Sequence, residues 1–258
     1  MKALIEYLKT LIVDAGELLL SQTVSVAKHK TANDLLTEND LRVERFLMEG
    51  VRRQFPRVNI VSEETAADGC LQGVSVVIDP IDGTCNYAVG TDRFGVQMAV
   101  FDGEKCVAGL LYFPVQKQLI FAEDGKGAYL NGRRLLVDKD GESGDGVLLI
   151  SDYYAGQAVS MEKQFALVRA LQPVFLKTRH LGAACVDFAS LALRQAAAYI
   201  CHYYHIWDIA PGLLIAKECG CVYAHLSGGE YRYGEPALVV ANNPKTLDKI
   251  LQAYRGLI

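Results

Sequence analysis

The run Val74-Ser75-Val76-Val77-Ile78 constrains the fold more than any other stretch of this chain. Four of its five residues are apolar and β-branched, with no polar alternation. That pattern predicts a central strand covered on both faces. The run leads directly into Asp79-Pro80-Ile81-Asp82-Gly83-Thr84. Pro80 cannot donate to a ladder and biases Asp79 toward extended backbone, so the strand is expected to end at Asp79. The turn that follows can bring Asp79 and Asp82 to one side.

Other elements arrange themselves around this strand. Leu4, Leu8, Leu11, Ile12, Ala15, Leu18 and Leu19 fall at helical spacing between Lys2 and Leu20. A second helix is expected from Thr37, where Thr37-x-x-Asp40 reads as a capping signature, and Pro56 closes it. Val58–Val61 is a short strand. Gly95–Phe101, Cys106–Phe113, Leu119–Ala122 and Ala128–Leu130 read as antiparallel strands. Asn131-Gly132 signals a type I′ hairpin, because both central positions need positive φ. Lys139–Gly146 is polar and glycine-rich, and is expected to be a linker. Beyond it, strands at 147–150, 174–176, 198–201 and 237–240 alternate with helices at 161–171, 184–194, 209–219 and 245–254. The expected organisation is an α+β half over residues 1–138 and an α/β half over residues 147–258, packed as one two-part unit.

The 258 residues, 51% of them hydrophobic, are enough to build a core without covalent staples. A net charge of −4 argues against a broad nucleic-acid surface. No apolar stretch is long enough to span a membrane. Glu6, Lys9, Asp14 and Glu17 interrupt any apolar region that a secretory signal would need. The seven cysteines include no C-x-x-C pair, so reduced thiols in a cytoplasmic protein are expected.

The chemistry concentrates in acidic groups. Asp79 and Asp82 follow the central strand, Ser62-Glu63-Glu64 ends the preceding one, and Trp207-Asp208 opens a helix with Asp208 as the expected N-cap. Two carboxylates at the mouth of an apolar strand repel each other unless a cation lies between them or water reaches them. Oxygen ligands of this kind suit Mg²⁺ rather than zinc. Spacing alone leaves two readings open. Asp-x-x-Asp after a strand is also a common solvated turn, Glu63-Glu64 an ordinary charged surface and Asp208 an ordinary cap. Gly83 permits close approach of a ligand to the backbone, and Thr84 supplies a hydroxyl.

Taken together, Asp79–Thr84 (DPIDGT), the preceding Ser62-Glu63-Glu64 and the downstream WDIAPG from Trp207 resemble the inositol monophosphatase family. That family belongs to the Mg²⁺-dependent, lithium-sensitive phosphatases that include fructose-bisphosphatases and 3′-phosphonucleotide phosphatases. Asp34–Glu44, Gly125–Gly132 and His180–Ala184 resemble further family segments in family order. The resemblance implies an α+β fold layered as an α/β/α/β/α sandwich, fructose-1,6-bisphosphatase-like, commonly homodimeric. It implies two or three Mg²⁺ per site, with Mn²⁺ as a substitute. Glu63, Asp79, Asp82, Asp208 and the main-chain carbonyl of Ile81 would be the metal ligands. Thr84 would orient the attacking water with Asp40 as its partner, and Glu64 would stand behind the ligands. Gly83 and Thr84 amides would bind phosphate, and Ala184 would contact the substrate ring.

The implied substrate is a small phosphorylated polyol or sugar. A 3′-phosphonucleotide or fructose 1,6-bisphosphate is the alternative within the same chemistry, and a metal-binding dimer that docks a macromolecular partner is the alternative outside it. Inositol-selective members place a Glu seven residues before the Asp of the Trp-Asp pair. Here that position is Cys201, whose thiol is a weak partner for a diol. The neighbouring His202, Tyr203, Tyr204 and His205 read equally well as pocket or as strand-end packing.

Overall fold

The computed structural model describes residues 1–23, 26–31, 34–65, 69–137, 146–152, 159–202 and 205–257, with backbone alone for 26–31 and 34. The first half runs α1 (Lys2–Leu20), β1 (Val26–Thr31), β2 (Asp34–Thr37), α2 (Glu38–Gln54), β3 (Asn59–Ser62), β4 (Val74–Asp82) and α3 (Thr84–Ala88). Five strands follow: β5 (Gly95–Asp102), β6 (Lys105–Phe113), β7 (Gln118–Glu123), β8 (Gly127–Leu130) and β9 (Arg133–Leu135). The second half runs β10 (Val147–Ile150), α4 (Met161–Leu171), β11 (Lys177–Arg179), α5 (Ala184–Ala192) and β12 (Ala198–Cys201). It closes with α6 (Ile206–Cys219), β13 (Val222–His225), β14 (Leu238–Ala241) and α7 (Pro244–Arg255). The linker expected at 139–146 lies outside the described residues except for Gly146.

Strands β3 to β9 form one seven-stranded sheet in sequence order. A five-stranded sheet has the order β11-β10-β12-β14-β13. Alternation on each strand sorts the core. Val76 and Ile78 of β4 join α1 and α2 in one cluster, whereas Val77 joins Ala99 and Phe101 in a second cluster shared with α5, α6 and the other sheet. A third cluster lies between the five-stranded sheet, α4 and α7. Five layers result: α1/α2, sheet, α5/α6, sheet, α4/α7. This is the expected α/β/α/β/α sandwich.

The approach of α6 to the first sheet depends on a glycine. A Cβ at Gly109 of β6 would lie 2.4 Å from the Pro211 carbonyl oxygen, so a side chain there would push the helix away. Strands β5 and β6 are buried along nearly their whole length, which makes them core rather than an exposed face. The Asn131-Gly132 hairpin forms as expected, with φ of 46° and 82°.

Three expectations need correction. The strand expected at 174–176 is instead β11 at Lys177–Arg179, because Val174 and Phe175 hydrogen-bond back to Leu171 and extend the turn after α4. The α6 N-cap is His205 and not Asp208, which lies in the first turn, where a carboxylate suits the positive end of the helix. Pro211 sits inside α6.

The third correction matters most for the site. Pro80 does not end β4. Asp79 pairs with Gln97 and Asp82 pairs with Gly95, so Pro80 and Ile81 together oppose Val96. This is a bulge, with two residues facing one, and it places the residue that cannot donate at the break in the ladder. In a regular strand, residues three apart point to opposite faces. The extra residue restores the parity, so Asp79 and Asp82 share a face while Ile78 and Ile81 pack together toward α1 and α2.

Candidate metal centre

The bulge delivers two carboxylates to the C-terminal end of β4, and the first turn of α6 delivers a third. Oxygens of Asp79, Asp82 and Asp208 all lie within 4.8 Å of one another. Asp79 and Asp82 are buried and Asp208 is partly exposed, so the cluster opens on the Asp208 side. Glu63, in the turn after β3, joins it through a side-chain hydrogen bond with Asp79. Burial and the facing charges of Glu63, Asp82 and Asp208 hold the Asp79 carboxyl well above its ordinary range. Burial likewise raises Asp82 to about 6, although the amides of Cys185 and Ala184 partly offset it.

Each ligand candidate is fixed by specific neighbours. Asp82 Oδ1 accepts from the Ala184 amide at 3.2 Å, Oδ2 accepts from the Cys185 amide, and the Gln97 amide nitrogen lies 2.7 Å from Oδ2. The start of α5 therefore anchors Asp82, and Ala184 is buried beneath it. Asp79 Oδ1 accepts from the Ile81 amide at 3.1 Å, which keeps the bulge tight. Four acidic side chains converge here, and the charges of Glu63, Asp82 and Asp208 all oppose ionisation of Asp79. Repulsion of that kind is relieved by a divalent cation, and the all-oxygen donor set fits Mg²⁺ or Mn²⁺.

A second group sits beside the cluster. Thr84 Oγ1 lies 3.0 Å from Asp40 Oδ1 and 2.9 Å from the Ile81 carbonyl oxygen. Asp40 is buried, and its Oδ2 accepts from the backbone and hydroxyl of Thr37 in the capping box of α2. Burial, with Glu63 adding to it, raises the Asp40 carboxyl against these hydrogen bonds. Gly83 is the left-handed N-cap of α3, with φ 88°, and a Cβ there would meet the Ala183 Cβ at 2.8 Å. Glycine is required both by the conformation and by the space.

Two residues at the site are not singled out by motif spacing. Buried Glu44 of α2 accepts from Ser62 Oγ and from the Glu64 and Thr65 amides, all at Oε1. It anchors the loop that presents Glu63, and the Glu64 amide is tied to it. The available signal is Asp40-x-x-x-Glu44, which puts two carboxylates on one helical face, here the buried one. Gln97 is the other, a single amide in the apolar β5. Cys201 is fully buried in the inter-sheet core, opposite Leu238. His205 stacks on Trp207 at 4.7 Å, whereas Tyr203 and Tyr204 lie outside the described residues. Cys85 is exposed.

Comparison with known proteins agrees with this geometry. The profile of the Inositol monophosphatase family matches residues 1–258. The chain belongs to the inositol monophosphatase family. Inositol-1-monophosphatase of Bacillus subtilis is 28% identical over 237 residues, covering 91% of this chain and 89% of that protein. Nus factor SuhB of Pasteurella multocida is 31% identical over 223 residues, covering 86% and 83%. Among solved structures, the IMPase of Thermotoga maritima superposes with a TM-score of 0.86 at 25% identity, covering 100% of this chain and 98% of that one. Relatives of this chain thus carry more than one kind of name, an inositol-1-monophosphatase and a Nus factor alike. Among the described residues no helix is long and apolar enough to cross a membrane.

Proposed function

We propose that this chain is a Mg²⁺-dependent phosphomonoesterase that hydrolyses a small phosphorylated polyol or sugar. The observation that carries the reading is the convergence of Asp79, Asp82 and Asp208 within 4.8 Å beside the Thr84–Asp40 pair. Glu63, Asp79, Asp82, Asp208 and the Ile81 carbonyl would hold the cations. Bound there, Mg²⁺ supplies Lewis acidity toward phosphate and water and neutralises the charge that develops on the leaving oxygen.

The remaining work falls to the chain itself. The Ile81 carbonyl and Asp40 compete for the one Thr84 hydroxyl proton. Were the Ile81 carbonyl to serve as a ligand, that proton would be left to Asp40. Thr84 Oγ1 can then accept a hydrogen bond from the attacking water and draw its proton off as the new P–O bond forms. As it does so, Thr84 would pass its own hydroxyl proton to the Asp40 carboxylate, whose raised pKa suits it to take a proton. The Gly83 and Thr84 amides at the start of α3 would receive the phosphate oxygens. Cytoplasmic location and a homodimeric assembly accompany this reading as family expectations.

A second reading has one specific support, the similarity to Nus factor SuhB. In it the chain acts by docking a macromolecular partner. Phosphate release with Mg²⁺ or with EDTA separates the two. The panel holds inositol 1-phosphate, fructose 1,6-bisphosphate, glycerol 2-phosphate and 3′-phosphoadenosine 5′-phosphate. Mg²⁺-dependent release is expected, with preference for a monophosphate of a polyol or sugar. Preference for the adenosine bisphosphate would replace the substrate class, and no release in either condition would replace the enzyme reading with the docking one.

A further inference from the structure

Gln97 lies on β5 directly opposite Asp79, on the face that also carries Ala99 and Phe101 into the inter-sheet core. It is completely buried. Its amide nitrogen is 2.7 Å from Asp82 Oδ2 and 3.4 Å from Asp79 Oδ2. The reverse amide orientation would aim the carbonyl at two carboxylates, so the donor end must face them. The other end, Oε1, is buried with no hydrogen-bond partner. A buried amide with an unmet acceptor costs folding free energy that an aliphatic residue would not. The neighbouring positions on this face are apolar, so packing does not call for an amide here.

We propose that Gln97 is a positioning residue of the metal centre, a neutral clamp that holds Asp82 and Asp79 at the separation a divalent cation requires. The inference rests on reading the cluster as a cation site. The Ala184 and Cys185 amides hold Asp82 from the α5 side but do not reach Asp79. Gln97 donates toward both carboxylates. Without it, two like charges would relax apart and would have to be drawn together again on binding. Neutrality matters as much as donation: a lysine would clamp more strongly but would itself neutralise the carboxylates and compete with the cation. An amide orients the pair while leaving its charge available.

Gln97→Met keeps an unbranched stem of similar length and removes both the donor and the acceptor of the amide. Mn²⁺ binding to the purified protein, followed through the electron-spin signal of free Mn²⁺, and thermal unfolding in EDTA together test the role. The expected result is a Kd for Mn²⁺ raised about 10- to 100-fold, the usual range for loss of a group that orients a ligand. The unfolding temperature in EDTA should change little, because relief of the unmet acceptor offsets the hydrogen bonds that the two carboxylates lose. Turnover should be recovered at high Mg²⁺. An unchanged Kd overturns the proposal, and so does a lower unfolding temperature in EDTA with unchanged Kd, which marks a purely structural residue. Should Gln97→Met fail to fold, Gln97→Leu carries the same test. Failure of the unmutated protein to bind Mn²⁺ would instead overturn the cation reading itself.

Discussion

Asp40 and Thr84 join two jobs in one carboxylate: Oδ1 faces the Thr84 hydroxyl at 3.0 Å, while Oδ2 closes the capping box at the start of α2. The helix cap therefore fixes the group that accepts the Thr84 hydroxyl's hydrogen bond. Thr84→Val removes the hydroxyl and leaves the cap intact. It is expected to lower kcat on the order of 10²- to 10⁴-fold, the usual weight of a positioned proton-transfer group. Thermal stability should change by only about 1 kcal/mol, the net worth of a typical hydrogen bond. Thr84→Ser should recover most of the activity. Steady-state phosphate release and thermal unfolding of both variants check this, and a fully active Thr84→Val would exclude the role.

Glu44 binds the Glu63 loop from behind. With Oε1 accepting from Ser62 Oγ and two amides, its loss frees the Ser62–Thr65 turn. Glu44→Ala is expected to cost about 1–3 kcal/mol, as for a buried partner removed from its donors. It should also weaken Mg²⁺ binding, because Glu63 loses its support. Glu44→Gln keeps an acceptor oxygen and should fall between the two. Unfolding curves with and without Mg²⁺ for the three proteins check the order.

Much of this was legible in the sequence, and the misses have physical causes. The β-branched run before Asp79 and the Thr37 capping signature are local patterns, and they place the starts of β4 and α2 correctly. The parity of Asp82 is not local: the bulge at Pro80-Ile81 appears only when β4 is laid against β5. Asp208 misleads as a cap because Asp is favoured both at the N-cap and in the first turn. Gln97 and Glu44 interrupt no pattern strongly enough to announce themselves. Their role comes from what the fold places opposite them, Asp79 in one case and the Ser62–Thr65 loop in the other.

The acidic cluster should make cation-linked stability strongly pH-dependent. Without cation, Asp79 and Asp82 titrate above their ordinary range, Asp82 at about 6. A carboxyl raised in the fold contributes stability that is complete below its unfolded pKa of 3.8 and lost as pH rises through its folded value. Mg²⁺ replaces those protons. The gain in unfolding temperature from Mg²⁺ over EDTA should be largest near about pH 8, shrink through about pH 6 and nearly vanish by about pH 5. Buried His202, lowered to about 4, destabilises the fold as pH falls below its ordinary value. That loss occurs with and without Mg²⁺ and cancels in the difference. A Mg²⁺ increment constant from about pH 8 to about pH 5 would show that these carboxylates do not bind it.

Restoring a glutamate at position 201 is the simplest attempt to convert the chain to an inositol-selective one, and the structure predicts that it fails. Cys201 closes β12 opposite Leu238 and is fully buried in the inter-sheet core. Burial, with Cys201 adding to it, pushes the nearby Tyr231 hydroxyl far up, and that hydroxyl has no partner. It offers a single donor, too little to replace the water around a carboxylate. Cys201→Glu should therefore cost on the order of 3–5 kcal/mol, the penalty of an uncompensated buried charge. In a chain of this size that lowers the unfolding temperature by roughly 6–20 °C. Preference for inositol 1-phosphate over glycerol 2-phosphate should not rise. A stable Cys201→Glu protein with a new inositol preference would mean that position 201 reaches the substrate after all.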